Sequence, residues 1–297
     1  MGFLLKKAYK KLLKTKPEVF GYYEEFKKLN EEYCYKHKLA TRFYLLKLLL
    51  TKKNVYEIKN PRNTIKPSKD YLSRQNDFDI KKIEDLITKK NNDNSNPSEL
   101  VKNLQEYDLI SFDVFDTCIF RPFEKPTDLF YYISKKLDIE NFYSLRSEAE
   151  KLARLKTSKK NHEIDIQDIY NELPSETSNI INFQKEIEFE KELCYANKFM
   201  LNAFKALKQS GKKIIAISDM YLPKNVIEEI LNKNGFSGFD KIFVSNEFKQ
   251  GKSNGKLFKI AKREYKNIKN CIHIGDNFVA DIKGAKKGGF KSFYYSR

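Results

Sequence analysis

The stretch 109-LISFDVFDTCIFRPF-123 is an apolar run that stops on two acids, Asp113 and Asp116, and then continues through Thr117, Cys118 and Arg121. Leu109, Ile110 and Phe112 follow one another too closely for an amphipathic face, which is the pattern of a short strand buried on both sides in a parallel sheet. Open sheets of that kind hold their ligands beyond the carboxyl ends of the strands. A carboxylate at such an end is a candidate functional group, and other strand ends must supply its partners.

Four further short apolar runs follow: 213-KIIAIS-218, 241-KIFVS-245, 270-NCIHIG-275 and 291-KSFYYS-296. Helical patterns such as 223-PKNVIEEILNKNG-235 and 255-GKLFKIAKREY-265 lie between them. Strand alternating with helix predicts right-handed crossovers and an α/β fold with a doubly wound, parallel, five-stranded Rossmann-like sheet. The gap between the first and second strands is far too long for one crossover. It reads as helices at 127–137, 144–156, 166–173 and 183–209, a helical cap inserted at about 122–210. This domain is expected to span 98–297, without an internal repeat.

Residues 1–97 read differently. Leu4, Leu5, Ala8, Tyr9 and Leu12 fall close to helical spacing, Pro17 breaks that helix, and a second helical stretch runs to about residue 50. Residues 53–77 are rich in Pro, Asn and Ser and read as a linker, followed by a short helix near 78–90. Of the net charge of +17, residues 1–59 contribute +9, with 15 Lys/Arg against 6 Asp/Glu. Such a basic segment suits an anionic membrane surface or an anionic substrate, although lysines on solvated faces would be written the same way. There is no nucleic-acid-binding motif and no Trp, and the basic residues are spread out, which argues against nucleic acid as partner. Cys34, Cys118, Cys194 and Cys271 are far apart with no paired spacing, so neither a disulfide framework nor a zinc site is predicted, as fits a reducing cytoplasm. The densest apolar run, 43-FYLLKLLL-50, is too short to span a bilayer. A cytoplasmic protein, peripheral at the inner face of the membrane if its basic segment binds lipid, is the expectation.

Each strand end carries polar groups: Asp113 on the first, Ser218 and Asp219 on the second, 250-QGKSNGK-256 after the third and 274-IGDNFVAD-281 on the fourth. In this order the motifs resemble the haloacid dehalogenase (HAD) superfamily, over about 107–297. Asp113 with Thr117 matches its strand-end aspartate, Ser218 its strand-end hydroxyl, Lys252 its lysine, and Gly275, Asp276 and Asp281 its GDxxxxD. The resemblance implies a hydrolase that binds Mg²⁺ through Asp113, Asp276 and the backbone carbonyl of Phe115, with Asp281 behind these ligands or reaching the ion through water. Hard oxygens suit that ion. It also implies that Asp113 attacks phosphorus to form an aspartyl-phosphate while Lys252 and Ser218 balance charge. Lys256, one helical turn on, is the alternative lysine. Thr117, Arg121, Asp219 and Asn277 are the substrate-side candidates.

The departure from the family is Phe115, where its phosphatases place a second Asp as general acid. The extra acid, Asp116, is one residue later, and on an extended backbone that shift turns a side chain to the other face. Asp116 is either a proton donor turned back by the loop or a group pinning the loop. The strings 110-ISFDVFDT-117, 218-SDMYLP-223 and 273-HIGDN-277, with 146-RSEAEKLAR-154 and 168-DIYNEL-173, resemble more narrowly a bacterial HAD group found with surface-polysaccharide glycosyltransferases. That resemblance implies a small phosphorylated sugar, polyol or glycan precursor as substrate and a glycosyltransferase as partner. The alternative is a catalytically impaired scaffold that docks such a transferase or an anionic membrane. Arg121, Arg146 and Arg154 could grip an anion or form helix-surface pairs with Glu148 and Glu150. His273, inside a strand, reads as a satisfied core residue, Cys118 as packing, and His37 and His162 have no metal partner.

Overall fold

The computed structural model describes residues 96–123, 125–158 and 163–295. By internal contacts the chain divides into two units, Met1–Phe78 and Asp79–Arg297, and every described residue lies in the second. The helices expected in 1–50, the linker at 53–77 and the helix near 78–90 lie outside the described residues, as do Cys34, His37 and His162.

Five parallel strands form the predicted sheet: β1 (Leu109–Phe112), β4 (Lys213–Ser218), β5 (Lys241–Val244), β6 (Cys271–Gly275) and β7 (Lys291–Tyr294), in the order β5-β4-β1-β6-β7. β1 and β6 are buried throughout, whereas β7 at the edge is half exposed, which is why the inner strands read as unbroken apolar runs. Alternate residues of β1 face opposite layers. Leu109 joins Ile215, Ile217, Phe243, Phe258 and Ala285 on the side covered by α10 (Lys256–Glu264) and α11 (Gly284–Lys287). Phe112 meets the ring of Phe204, on α7 (Lys198–Gln209), edge to face at 6.3 Å. The strand order reverses around β1, with β4 on one side and β6 on the other. That is the topological switch point, where a crevice opens beyond the strand ends.

The insertion holds α2 (Asp128–Leu137), α3 (Phe142–Ser158), α4 (Ile166–Tyr170), α5 (Ser175–Ile180) and α6 (Phe183–Leu193). Two short strands bracket it: β2 (Ile119–Phe120) and β3 (Tyr195–Ala196) pair antiparallel. The single helix expected over 183–209 is therefore broken. Cys194 is extended, β3 pairs with β2, and the Asn197 side chain accepts the Met200 amide at 3.4 Å to cap a new helix, α7. The Asn197 amide donates to the Cys118 carbonyl at 2.8 Å, so pairing with the active-site loop overrides helical periodicity there. α7 lies on the sheet, where its Phe204 meets Phe112.

Among the described residues no helix is long and apolar enough to cross a membrane.

Candidate active site

The Asp113 amide donates to the Ile274 carbonyl at 2.8 Å, which fixes the end of β1 against the end of β6. Beyond it the chain turns tightly. The amides of Cys118 and Ile119 both donate to the Val114 carbonyl, at 2.9 and 2.8 Å, and that of Asp116 to the Ile119 carbonyl at 2.8 Å. Asp116 takes φ +62°, a left-handed conformation that Asp tolerates better than most residues. The parity expected of an extended backbone therefore fails at Asp116, and its charge is felt by Asp276. The Thr117 hydroxyl donates to Asp113 Oδ2 at 3.3 Å, and its carbonyl accepts the Asn197 side-chain amide at 2.7 Å.

Asp113 meets three groups from other strand ends. Lys252 Nζ lies 2.5 Å from Asp113 Oδ1 and 2.6 Å from Asp281 Oδ1. Asp113, Asp276 and Asp281 each offer an oxygen, all within 4.8 Å of one another. Lys252 is in the turn before α10, which begins at Lys256 after Gly255, whose left-handed φ of +78° starts the helix there. Both Asp219 oxygens accept the Lys252 amide, at 2.8 and 3.0 Å, so Asp219, expected to face substrate, holds the lysine's backbone. Ser218 is buried at the end of β4. The Asn277 side-chain oxygen, also expected to face substrate, accepts the amides of Val279 and Ala280, both at 3.0 Å, capping the π-helical turn Phe278–Lys283.

Asp281 is the most heavily supported acid of the three in the cluster. Its Oδ1 accepts His273 Nε2 at 3.1 Å as well as Lys252, and its Oδ2 accepts the Asn277 amide at 2.8 Å. It packs so closely on Gly275 that a Cβ there would lie 2.4 Å from Asp281 Cγ, hence the glycine before Asp276. His273 Nδ1 lies 2.8 Å from the hydroxyl of Ser111, its register partner on β1. Burial lowers the His273 pKa, so the ring is neutral and the tautomer with Nε2–H toward Asp281, and Nδ1 accepting from Ser111, satisfies both contacts. His273 is a satisfied interior residue as expected; it also holds Asp281, and its register partner Ser111 lies on β1 just before Asp113.

The charges resolve accordingly. Burial pushes Asp113 well above its ordinary 3.8, against the pull of Lys252. Burial would also raise Asp281, but Lys252 and His273 outweigh it and hold that carboxyl below its usual range. The two acids share one ammonium and still differ, because burial weighs most on Asp113 and the charges of Asp281 and Asp276 raise it further, whereas His273 also lowers Asp281. Asp276 is raised by burial, then by Asp116 and Asp281. Burial would lower Lys252; Asp113 and Asp281 keep it charged.

Arg121, a substrate-side candidate, pairs within the protein. Its Nε and Nη2 donate to the two oxygens of Glu190, both at 2.8 Å, and its guanidinium lies over the Phe115 ring, 4.1 Å from the centroid. Arg146 is fully buried: it pairs with Glu186 on another helix and keeps the expected pair with Glu150, at 3.3 Å. Arg154 does form the expected pair with Glu150, at 2.8 Å. Neither Glu186 nor Glu190 was singled out from the sequence, yet Phe183, Glu186, Ile187, Glu190 and Leu193 share one helical stripe, which places both acids on the buried face.

A family model described as haloacid dehalogenase-like hydrolase matches residues 107–289. The chain belongs to the haloacid dehalogenase-like hydrolase family. No curated protein matches this HAD-like hydrolase significantly. Among solved structures it is similar to the HAD-hydrolase YfnB from Bacillus subtilis bound to magnesium, at 18% identity and a TM-score of 0.45, covering 63% of this chain and 88% of that one. It is similar also to the HAD family enzyme BT-2542 from Bacteroides thetaiotaomicron in complex with magnesium and inorganic phosphate, at 16% and 0.46, covering 63% and 93%. A third is the L-2-haloacid dehalogenase from Xanthobacter autotrophicus with chloropropionic acid covalently bound, at 10% and 0.46, covering 64% and 78%.

The acidic cluster of this HAD-like hydrolase fits a divalent metal. Three carboxylates against one ammonium leave two formal negative charges among oxygens within 4.8 Å, and all the donors are hard. Asp281 already accepts three hydrogen bonds, whereas Asp113 accepts that of Lys252 and only a long one from Thr117, so Asp113 and Asp276 are the better direct ligands.

Proposed function

We infer that the protein is a Mg²⁺-dependent phosphatase or phosphotransferase working through an aspartyl-phosphate at Asp113. The observation that carries this reading is Lys252 Nζ at 2.5 Å from Asp113 with Asp276 and Asp281 in the same cluster. Asp113 and Asp276 would hold the ion, joined by the Phe115 carbonyl. When bound, magnesium supplies charge neutralisation and a template for phosphate oxygens. Asp113 presents one oxygen for in-line attack: its bond to phosphorus forms as the bond to the leaving oxygen breaks, and water or an acceptor alcohol later takes the phosphoryl group. Lys252 and the Ser218 hydroxyl balance charge on the transferred group. Asp116, turned by its left-handed backbone toward the side of Asp276, is the proton donor to the leaving group.

The substrate proposed is a small phosphorylated sugar, polyol or glycan precursor, on the narrower resemblance of the quoted strings to HAD proteins found with surface-polysaccharide glycosyltransferases. A glycosyltransferase or anionic membrane is the proposed partner of the basic N-terminal segment. The location proposed is the cytoplasm, supported by the free, buried thiols of Cys118, Cys194 and Cys271.

A second reading, an impaired HAD scaffold, is favoured by Phe115, whose ring is held under the Arg121 guanidinium where the family's acid would stand. Hydrolysis of an aryl phosphate with Mg²⁺, abolished in Asp113→Asn, supports the enzyme; wild type without turnover supports the scaffold. A panel of phosphorylated sugars and polyols then tests the substrate class.

A further inference from the structure

Three strings from distant parts of the sequence meet in one buried cluster. From 146-RSEAEKLAR-154, Arg146 donates through Nε and Nη2 to the two oxygens of Glu186, both at 2.7 Å, and through Nη1 to Glu150 at 3.3 Å. Its guanidinium is covered by the rings of Phe130 at 4.5 Å and Tyr221 at 5.1 Å. From 168-DIYNEL-173, the Tyr170 hydroxyl donates to Glu186 Oε2 at 2.9 Å. From 218-SDMYLP-223, the Tyr221 hydroxyl donates to Glu186 Oε1 at 3.4 Å. Arg146, Glu150, Tyr170 and Glu186 belong to the cap; Tyr221 comes from the core, on the loop that follows β4.

That loop carries active-site groups. Ser218 and Asp219 begin it, and the Tyr221 carbonyl accepts the amide of Ile166, at the start of α4 in the cap, at 3.0 Å. The Met220 amide donates to Ser245 Oγ at 3.1 Å and the Asn246 side chain to the Leu222 carbonyl at 2.7 Å, so the loop has little slack. Asp219 in turn grips the Lys252 amide, and Lys252 reaches Asp113. Bonded contacts therefore run without a gap from Glu186 in the cap to the carboxylate at the end of β1.

We propose that Tyr221 is a positioning residue that couples docking of the cap to the alignment of Ser218 and Lys252 around Asp113. The inference rests on the phosphoryl-transfer reading above and deepens it. A charged pair that is buried and saturated with donors has one good arrangement, and lifting the cap would strip the Arg146–Glu186 pair of Tyr221's hydroxyl and ring cover. Docking is thus close to all-or-none, and the lysine is placed for reaction when the cap has excluded water.

Two variants of the full chain separate this from a purely structural role. Tyr221→Phe and Tyr170→Phe each remove one hydroxyl from the same carboxylate and keep the ring. Tyr221→Phe lowers kcat on p-nitrophenyl phosphate about tenfold or more, as misplacement of a reacting group does, while its Mg²⁺ affinity by calorimetry stays within about twofold of wild type. Hydrogen exchange at the Ile166 amide and across 219–223 becomes faster. Tyr170→Phe, although it loses the shorter bond, keeps kcat within about twofold and its Ile166 exchange unchanged. Equal losses in both variants, or no loss in Tyr221→Phe, overturn the proposal. If wild type takes up Mg²⁺ but turns over no aryl phosphate, the phosphoryl-transfer reading fails by itself; exchange then decides the coupling, and unchanged exchange in Tyr221→Phe sinks it.

Discussion

Lys252 and Asp113, 139 residues apart in the chain, are joined by a hydrogen bond of 2.5 Å inside a buried pocket, and the same ammonium holds Asp281 at 2.6 Å. One cation thus serves two acids that burial would otherwise penalise.

Removing that cation is expected to be costly. Lys252→Met leaves two carboxylates buried without their partner and should destabilise the fold by about 3–5 kcal/mol. Saturating Mg²⁺ should return part of this, by about 2.7 kcal/mol at a hundredfold excess over its dissociation constant. Denaturant melts with and without the ion measure both quantities.

Asp113→Asn should abolish turnover yet leave the fold intact, and the sign of its pH dependence is fixed. Burial raises the folded pKa of Asp113 above its ordinary 3.8, so the acid costs stability as pH rises from the unfolded value through the folded one. In EDTA the wild type should therefore lose ground relative to Asp113→Asn as pH climbs through that window. The same proton competes with the ion, so Mg²⁺ should bind the wild type more tightly as pH rises. Thermal melts and calorimetric titrations at several pH values check each half.

Asp116→Asn keeps a side chain that tolerates φ +62°. As proton donor its loss should slow alkyl phosphates by about 10²–10⁴ and aryl phosphates by much less, because aryl leaving groups need little acid help. Equal effects on both substrates would assign it to holding the loop instead.

Ser111→Ala removes the hydroxyl donated to His273 Nδ1 at 2.8 Å. About 1 kcal/mol of stability should be lost, and turnover should fall several-fold with KM little changed, because His273 then orients Asp281 less firmly. Gly275→Ala is harsher: its Cβ would fall 2.4 Å from Asp281 Cγ, and Mg²⁺ binding should weaken at least tenfold.

The sheet and its polar strand ends were legible because buried parallel strands are written as short apolar runs and because ligand groups must stand at their carboxyl ends. Asp113, Lys252, Asp276 and Asp281 come together accordingly. What local pattern could not give was set by partners distant in the chain. The break at Cys194–Asn197 depends on pairing with Ile119–Phe120, and the burial of Arg146 depends on Glu186 in another helix. At Asp116 two roles stayed open because a parity argument holds only for extended backbone, and the backbone there is left-handed. Asp219 and Asn277, two of the substrate-side candidates, also accept nearby amides, which depend on turns that local pattern does not write.

The pairing of Ile119–Phe120 with Tyr195–Ala196 brings the two ends of the helical insertion side by side. Everything between them leaves and rejoins the core through a single doorway, so evolution can lengthen, shorten or exchange that module without re-registering a strand of the main sheet.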